Sequence, residues 1–339
     1  MKYPYTGLYF YCLHLAQSLV ATNYANRELC FYSRETTKHL FENGCYVEQH
    51  SLHKFILPSL KKYNLWHSTY QSSDYFPWQR KIKVVLTIHD LNILYDDSKS
   101  AAKKNKFLKD LKARINRADH IVAISEFVLN DIKKHAGIDN TPASVIYNGG
   151  TISDLALHSP QYIPTSAFLF TIGTVVSKKN FHVLPPLLAN NNLQLIISGL
   201  TDSTDYKAKI IDVAKKWRVQ NRVIFTGSIN ENDKQWYLKN CEAFLFPSIS
   251  EGFGLPVVEA MHFGKPVILS TCTSLPEIGG KDAYYFNDFD PETMQKTLLE
   301  ALEDYRINKK EDLIKERAAF FNWNNSALQY HQIYDGLTR

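Results

Sequence analysis

Phe246-Pro-Ser-Ile-Ser-Glu-Gly-Phe-Gly-Leu-Pro-Val-Val-Glu-Ala-Met261 reads as the end of a buried strand, a loop with two glycines, and the first turns of a helix. Pro256 stands where that helix begins, its favoured position, because the N–H it lacks has no partner there anyway. Gly252 and Gly254 let the backbone approach a ligand without Cβ atoms in the way. The exposed N–H groups and positive end of the following helix face whatever is bound and favour phosphate. Glu251 before the loop and Glu259 about one turn inside the helix would repel a phosphate. They read instead as acceptors for hydroxyls, a sugar on one side and a ribose on the other.

Outward from this stretch, short buried strands alternate with amphipathic helices. Residues 29–32, 82–88, 120–124 and 144–147 read as strands in the first half, with helical spacing over 107–117 and 126–135. In the second half the strands are 167–172, 193–198, 222–226, 243–247 and 266–270, with helices around 179–190, 204–217, 231–240 and 256–264. Such alternation predicts parallel sheets covered by helices on both faces, and two sets predict two doubly wound α/β domains. The periodicity breaks over 149–166, where Gly149, Gly150, Ser153, Ser159, Pro160, Pro164 and Ser166 gather. The expected division is a first domain over 1–155, a second over 165–318, and a closing helix over 319–339. Ligands of open α/β sheets bind outside the carboxyl ends of the strands, so residues directly following strands are the ones to examine.

Composition narrows the function. The chain has 339 residues, 45% hydrophobic and 22% charged, and its longest apolar runs fall well short of the ~18 residues that span a bilayer. No leader for secretion is evident at the start. Five cysteines, none in a C-x-x-C pair, argue against a disulfide framework or a zinc ribbon. A net charge of +5 does not imply nucleic acid. It is concentrated, however, in Lys103, Lys104, Lys106, Lys109, Lys112, Arg114 and Arg117 on one helix. That face is either simply solvated or suited to anionic lipid. The expected location is the cytoplasm, with peripheral contact at the inner membrane face.

Glu251 and Glu259, seven residues apart around Gly-Phe-Gly-Leu-Pro, resemble the E-x7-E motif of glycosyltransferase family 4, and the likeness extends over most of the chain. The resemblance implies the GT-B fold, two Rossmann-like domains facing a central cleft with a last helix crossing back to the first. It also implies a retaining, metal-independent transfer of a hexose from a nucleoside diphosphate sugar. On this likeness Glu251 contacts the donor sugar, Gly252, Phe253, Gly254 and Leu255 contact sugar and phosphate, and Glu259 holds the ribose. Phe170-Thr-Ile-Gly-Thr-Val-Val-Ser-Lys-Lys-Asn180 is similar to the family's basic clamp for the diphosphate. Gly173 turns the chain, Lys179 stands at the most characteristic lysine, and Thr174 and Lys178 replace residues that are often arginine. Two ammonium groups there suit a leaving group whose charge rises as the bond breaks.

Val84-Val-Leu-Thr-Ile-His-Asp-Leu-Asn92 delivers His89 and Asp90 at a strand end. The Thr-Ile-His-Asp-Leu string resembles members that use donors such as GDP-mannose, where the histidine approaches the donor sugar. His67 and Gln71, in Trp66-His-Ser-Thr-Tyr-Gln71, resemble an acceptor-side segment, and Gly7 a glycine-containing loop before the first helix. Ser125 reads as a helix N-cap, and so does Asp290 of Asp288-Phe-Asp290, which is not a metal motif here. Trp323, Tyr330 and Tyr334 read as packing residues of the last helix.

One departure stands at the start: only six residues, including Pro4, precede Gly7, too few for the family's usual first strand. A truncated first strand, with an exposed sheet edge, is the expectation. The leading reading is transfer of a hexose, mannose first, to a glycan or lipid-linked acceptor in surface polysaccharide synthesis, with no cofactor and no nucleic acid. A degenerate sugar-nucleotide-binding protein and a nucleotide-sugar epimerase are the alternatives.

Overall fold

A computed structural model of the chain describes residues 7–24, 27–34, 45–79, 81–138, 140–150 and 158–339. In chain order the elements are α1 (Gly7–Ala21), β1 (Cys30–Ser33), β2 (Cys45–Glu48), β3 (Leu65–Ser68), β4 (Lys83–Ile88), α2 (Ala101–Arg117), β5 (His120–Ala123), α3 (Glu126–His135) and β6 (Ala143–Val145). There follow β7 (Phe168–Ile172), β8 (Gln194–Ser198), α4 (Thr204–Lys216), β9 (Val223–Gly227), α5 (Glu231–Asn240), β10 (Ala243–Phe246), α6 (Leu255–His262), β11 (Val267–Ser270) and α7 (Leu275–Gly279). β12 (Tyr284–Phe286), α8 (Pro291–Ile307), α9 (Glu311–Ala319) and α10 (Trp323–Thr338) complete the chain. It divides into two compact units, Met1–Gly149 with Phe321–Arg339, and Gly150–Phe320.

In the second unit all six strands are parallel, in the order β12-β11-β10-β7-β8-β9. Counted within the unit this is the 3-2-1-4-5-6 order of dinucleotide-binding sheets, with the order reversing between β7 and β10. The central strands are buried and mostly apolar, as a sheet covered by helices on both faces requires. Leu169, Leu195, Ile197, Leu245 and Ile268 pack with Ile210, Leu187 and Leu298 in one buried cluster. Helix starts carry their own caps: Ser203 accepts from the Tyr206 N–H and Asn230 from the Asp233 N–H. Asp290 caps α8 through the N–H groups of Glu292 and Thr293, as expected of it.

The segment 179–190 departs from expectation. In place of a helix it forms three 3₁₀ turns, Ser177–Lys179, Phe181–Val183 and Pro185–Leu188. Asn180 sits in the left-handed region at φ 58°, which stops one turn, and the Pro185-Pro186 pair cannot continue another. The apolar side chains Phe181, Leu184, Leu187 and Leu188 are all buried nevertheless.

In the first unit β3, β4, β5 and β6 form a four-stranded parallel sheet, while β1 and β2 form a separate parallel pair. Among the described strands none lies between the two sheets. Tyr32 of β1 and Trp66 of β3 bring their rings within 5.2 Å. The expected stub of a first strand falls on residues 1–6, outside the described residues. Val84, Val85, Leu86, Ile88 and Ile121 are fully buried between α2 and α3 residues such as Leu111, Ile115, Val128 and Ile132 and the helix α1. Ser125 caps α3 by accepting from the Val128 N–H, as expected.

Helix α10 packs on α1, and a buried polar cluster joins them to the sheet. Tyr11 Oη meets Tyr330 Oη at 2.8 Å, and both meet the Thr87 hydroxyl, at 3.3 and 3.0 Å. Trp323, Tyr330 and Tyr334 are buried, which fits their reading as packing residues. The cysteines are free thiols, including Cys30 and Cys45 side by side in register on β1 and β2. Among the described residues no helix is long and apolar enough to cross a membrane.

The basic helix α2 is divided in purpose. Arg114 lies over the rings of Phe76 and Trp78, 4.8 and 5.6 Å from their centroids, and Arg117 donates to the carbonyls of Gln79 and Ile82. Both therefore hold the unit together, and Lys103, Lys106, Lys109 and Lys112 are left exposed.

Candidate functional site

The switch point between β7 and β10 places two loops side by side at the carboxyl ends of their strands. After β7, Gly173 turns the chain at φ +152°, and a Cβ there would stand 3.1 Å from Lys179 Cε. The turn after β8 lies directly against it: a Cβ on Gly199, at φ +135°, would fall 2.0 Å from the Gly173 carbonyl oxygen. Glycine is required there because two backbones touch. Thr174 is partly exposed at this turn. The Lys178 carbonyl accepts from the Ile249 N–H at 2.9 Å and lies 3.1 Å from Ser248 Oγ, stitching the loop after β7 to the loop after β10.

The two lysines behave differently. The Lys178 side chain is exposed, with no ion-pair partner among the described residues. The Lys179 ammonium binds Glu251 Oε1 and lies 4.7 Å from the Phe246 ring centroid. Ser248 donates to the same carboxylate oxygen at 2.6 Å. The loop carrying Glu251 is fixed from β11's end as well. The Glu251 N–H donates to the Thr273 hydroxyl at 3.1 Å, and Ser274 Oγ donates to the carbonyls of Glu251 and Phe253 at 3.2 and 3.1 Å. Glu251 and Lys179 are therefore brought together as an ion pair, each side chain 14% exposed.

Gly252, Phe253 and Gly254 are buried, and Gly254 adopts φ 109°, ψ 52°, a left-handed geometry that turns the chain into α6. Leu255 is the first helical residue, followed by Pro256, and no side chain caps this start. The helix end is thus open to an anion. Glu259 lies farther along α6 and is not paired with Lys179. Its Oε1 accepts from Lys234 Nζ at 2.8 Å, and the same ammonium lies 3.0 Å from Glu231 Oε2. Burial pushes the Glu259 carboxyl above its ordinary range, with Glu231 acting in the same direction and Lys234 opposing both.

In the first unit, His89 and Asp90 follow β4. His89 Nε2 lies 2.8 Å from the Thr69 carbonyl, so this nitrogen carries the proton and Nδ1 is left as an acceptor. Its ring stands edge-on to Tyr11 at 4.5 Å, and burial lowers its pKa, keeping it neutral. Gln71 is buried and pins this strand end from both sides: Oε1 accepts from the His89 N–H at 3.0 Å, and Nε2 donates to the Asp90 carbonyl at 2.9 Å. Asp90 Oδ1 accepts from the Asn92 N–H, a local turn.

Three expectations change. His67 is not offered to a ligand: its Nε2 lies 2.8 Å from the Thr87 hydroxyl and its Nδ1 2.7 Å from Tyr334 Oη, and burial, then His89, lowers its pKa to about 3. Gln71 acts on the backbone of His89 and Asp90 rather than facing an acceptor. Gly7 lies in the first turn of α1 rather than in a loop before it, with open space where a Cβ would stand. Lys234, Ser248 and Ser274 were not evident from the sequence. Ser248 lies within the stretch quoted first, but nothing in periodicity tells which carboxylate Lys234 faces.

Two family models together span most of the chain: Glycosyltransferase Family 4 over residues 11–151 and Glycosyl transferases group 1 over residues 158–319. The chain is 28% identical to the serotype-specific mannosyltransferase WbdA of Escherichia coli over 79% of its length, but spans only 34% of that protein. It is 24% identical to the O-antigen chain mannosyltransferase B of Escherichia coli, covering 98% of this chain and 97% of that one. Among solved structures, sucrose-phosphate synthase from Thermosynechococcus elongatus aligns over 98% of this chain and 94% of its own, with TM-score 0.77 and 21% identity. HepE from Anabaena, in complex with UDP and glucose, aligns over 96% of both chains with TM-score 0.71 and 18% identity.

Proposed function

The chain belongs to glycosyltransferase family 4 and has the GT-B fold, and from that premise we propose that it is a retaining transferase. It moves mannose from a nucleoside diphosphate sugar to a glycan or lipid-linked acceptor in surface polysaccharide synthesis. The mannosyltransferases among its relatives support the sugar, and the UDP and glucose held by HepE support a nucleotide-sugar donor. The observation that carries the reading is the Lys179–Glu251 pair at the switch point, beside the uncapped start of α6.

In the proposed reaction the diphosphate lies against that helix start and the two lysines. Lys179 exchanges its carboxylate for phosphate oxygens, and the negative charge that grows on the leaving group is met by Lys178, Lys179 and the N–H groups around Gly254 and Leu255. Glu251, released, accepts from a donor-sugar hydroxyl, while Glu259 accepts from the ribose. His89 contributes Nδ1 as a hydroxyl acceptor, held in its tautomer by Thr69 and in place by Gln71. The leaving phosphate takes the proton of the acceptor hydroxyl, so no protein nucleophile enters. Charge neutralisation by lysines makes turnover independent of a divalent metal. The exposed lysines of α2 extend the proposal to contact with anionic lipid.

The test is thermal stabilisation by GDP-, UDP-, ADP- and dTDP-sugars, with Glu259→Ala alongside, followed by transfer from the stabilising donor in the presence of EDTA. A shift with one base that vanishes in Glu259→Ala, and an α-linked product from an α-linked donor, are expected. A stabilising donor that is never transferred to glycan or lipid-linked acceptors would favour a binding protein. An epimerised nucleotide sugar formed without acceptor would favour the epimerase reading.

A further inference from the structure

Lys234 enters the nucleotide half from α5, and its side chain is 12% exposed. Two carboxylates share its ammonium, Glu259 Oε1 at 2.8 Å and Glu231 Oε2 at 3.0 Å. Glu231 is itself held: its other oxygen accepts from Gln235 Nε2 at 3.1 Å, one helical turn on. Lys234 and Glu231 are three residues apart on one helix, so α5 sets the position of the ammonium before α6 meets it. Glu259, 13% exposed, then takes one fixed donor on one oxygen, and its Oε2 accepts no hydrogen bond from a described residue.

We propose that Lys234 is a positioning residue for the nucleotide's ribose: by gripping Oε1 it presents the Glu259 carboxylate as a charged, preoriented acceptor whose Oε2 receives the ribose hydroxyls. The proposal rests on the reading of Glu259 as the ribose-holding residue. The chemistry requires such a partner. A carboxylate so little exposed tends toward its neutral form, and Glu231 nearby pushes the same way; Lys234 opposes both. Despite its own burial, the ammonium is stabilised by the two carboxylates. A protonated or freely rotating Glu259 would accept hydroxyls less strongly and in more than one geometry.

Isothermal titration of the full chain with GDP and UDP, and with their 2′-deoxy and 3′-deoxy forms, reads the ribose contact directly. The unaltered chain is expected to prefer the ribonucleotide by about tenfold, the value of a hydrogen bond to a charged group. Lys234→Met should weaken the ribonucleotide by about tenfold and reduce that preference to within about twofold, while Lys234→Arg keeps it. If Lys234→Met does not fold, Lys234→Met in the Glu259→Gln background removes the more buried of the two carboxylates and leaves only Glu231, 31% exposed and bonded to Gln235, without the ammonium. There it should change neither affinity nor preference relative to Glu259→Gln alone.

A preference retained in Lys234→Met but lost in Glu259→Gln would overturn the proposal and leave the Glu259 reading intact. So would an equal weakening of ribo and deoxy forms by Lys234→Met, or a further loss of ribonucleotide affinity on adding it to Glu259→Gln. An unaltered chain that binds ribo and deoxy forms equally, or binds neither GDP nor UDP, would overturn the Glu259 reading and the proposal with it.

Discussion

Replacing Lys179 by Met removes one partner of the ion pair at the switch point and leaves Glu251 with Ser248, 2.6 Å away, as its side-chain donor. Breaking a buried pair from one side costs about 3–5 kcal/mol. Both side chains retain 14% exposure and the serine remains, so the low end applies, about 3 kcal/mol. For a unit of this size that lowers the melting temperature of the second unit by roughly 6–12 °C. Adding Glu251→Gln to Lys179→Met makes a neutral pair of similar shape and should restore most of that stability. It should not restore the diphosphate contact. Calorimetric melting reads the first effect, and titration with GDP and UDP against guanosine and uridine reads the second. Both variants should bind the diphosphates about tenfold more weakly and the nucleosides unchanged. A double variant that melts as low as Lys179→Met alone would refute the ion-pair argument. Full diphosphate affinity in Lys179→Met would refute the lysine's part in the clamp.

His67, with its pKa lowered to about 3, binds a proton less readily folded than unfolded, so its contribution is complete above about 6.5 and declines as pH falls toward 3. The slope is up to about 1.4 kcal/mol per pH unit; His67→Gln should remove it, leaving the slope from the other buried histidines. Equilibrium unfolding between pH 4 and 7 checks this, and an unchanged slope in the variant would count against it. On α2, Arg114→Ala should lower stability by about 1–2 kcal/mol through loss of its stacking on Phe76 and Trp78. Changing Lys106 and Lys109 to Ser should stay within about 0.5 kcal/mol each but weaken retention on anionic vesicles, measured by denaturant melts and co-sedimentation.

The sequence showed the second unit more fully than the first for a physical reason. Its central strands are buried on both faces, so they carry short consecutive apolar runs, Phe168–Phe170 and Leu195–Ile197. Strands β2, β3 and β12 escaped because they are three or four residues long and mostly half-exposed, with no run to detect. The 3₁₀ turns over 177–188 were legible in Pro185-Pro186, yet the spacing of Phe181, Leu184 and Leu188 mimics a helix. In the candidate site, Glu251, Gly254 and Glu259 could be read because a strand–loop–helix joint concentrates them in one segment. Lys234 could not, since its partner comes from another helix. His67 was misread for a related reason: Tyr334, which occupies one of its nitrogens, lies 267 residues away.

The cluster of Tyr11, Thr87, His67, Tyr330 and Tyr334 also orders events during synthesis. The second unit is one uninterrupted segment, Gly150–Phe320, whereas the first is built from Met1–Gly149 and Phe321–Arg339. A nascent chain can therefore finish the later segment first. The earlier one must wait with the Tyr11 and Thr87 hydroxyls and the His67 ring lacking their final partners until Tyr330 and Tyr334 have left the ribosome. Of the two units, the one whose strands are translated earlier is the one that completes later.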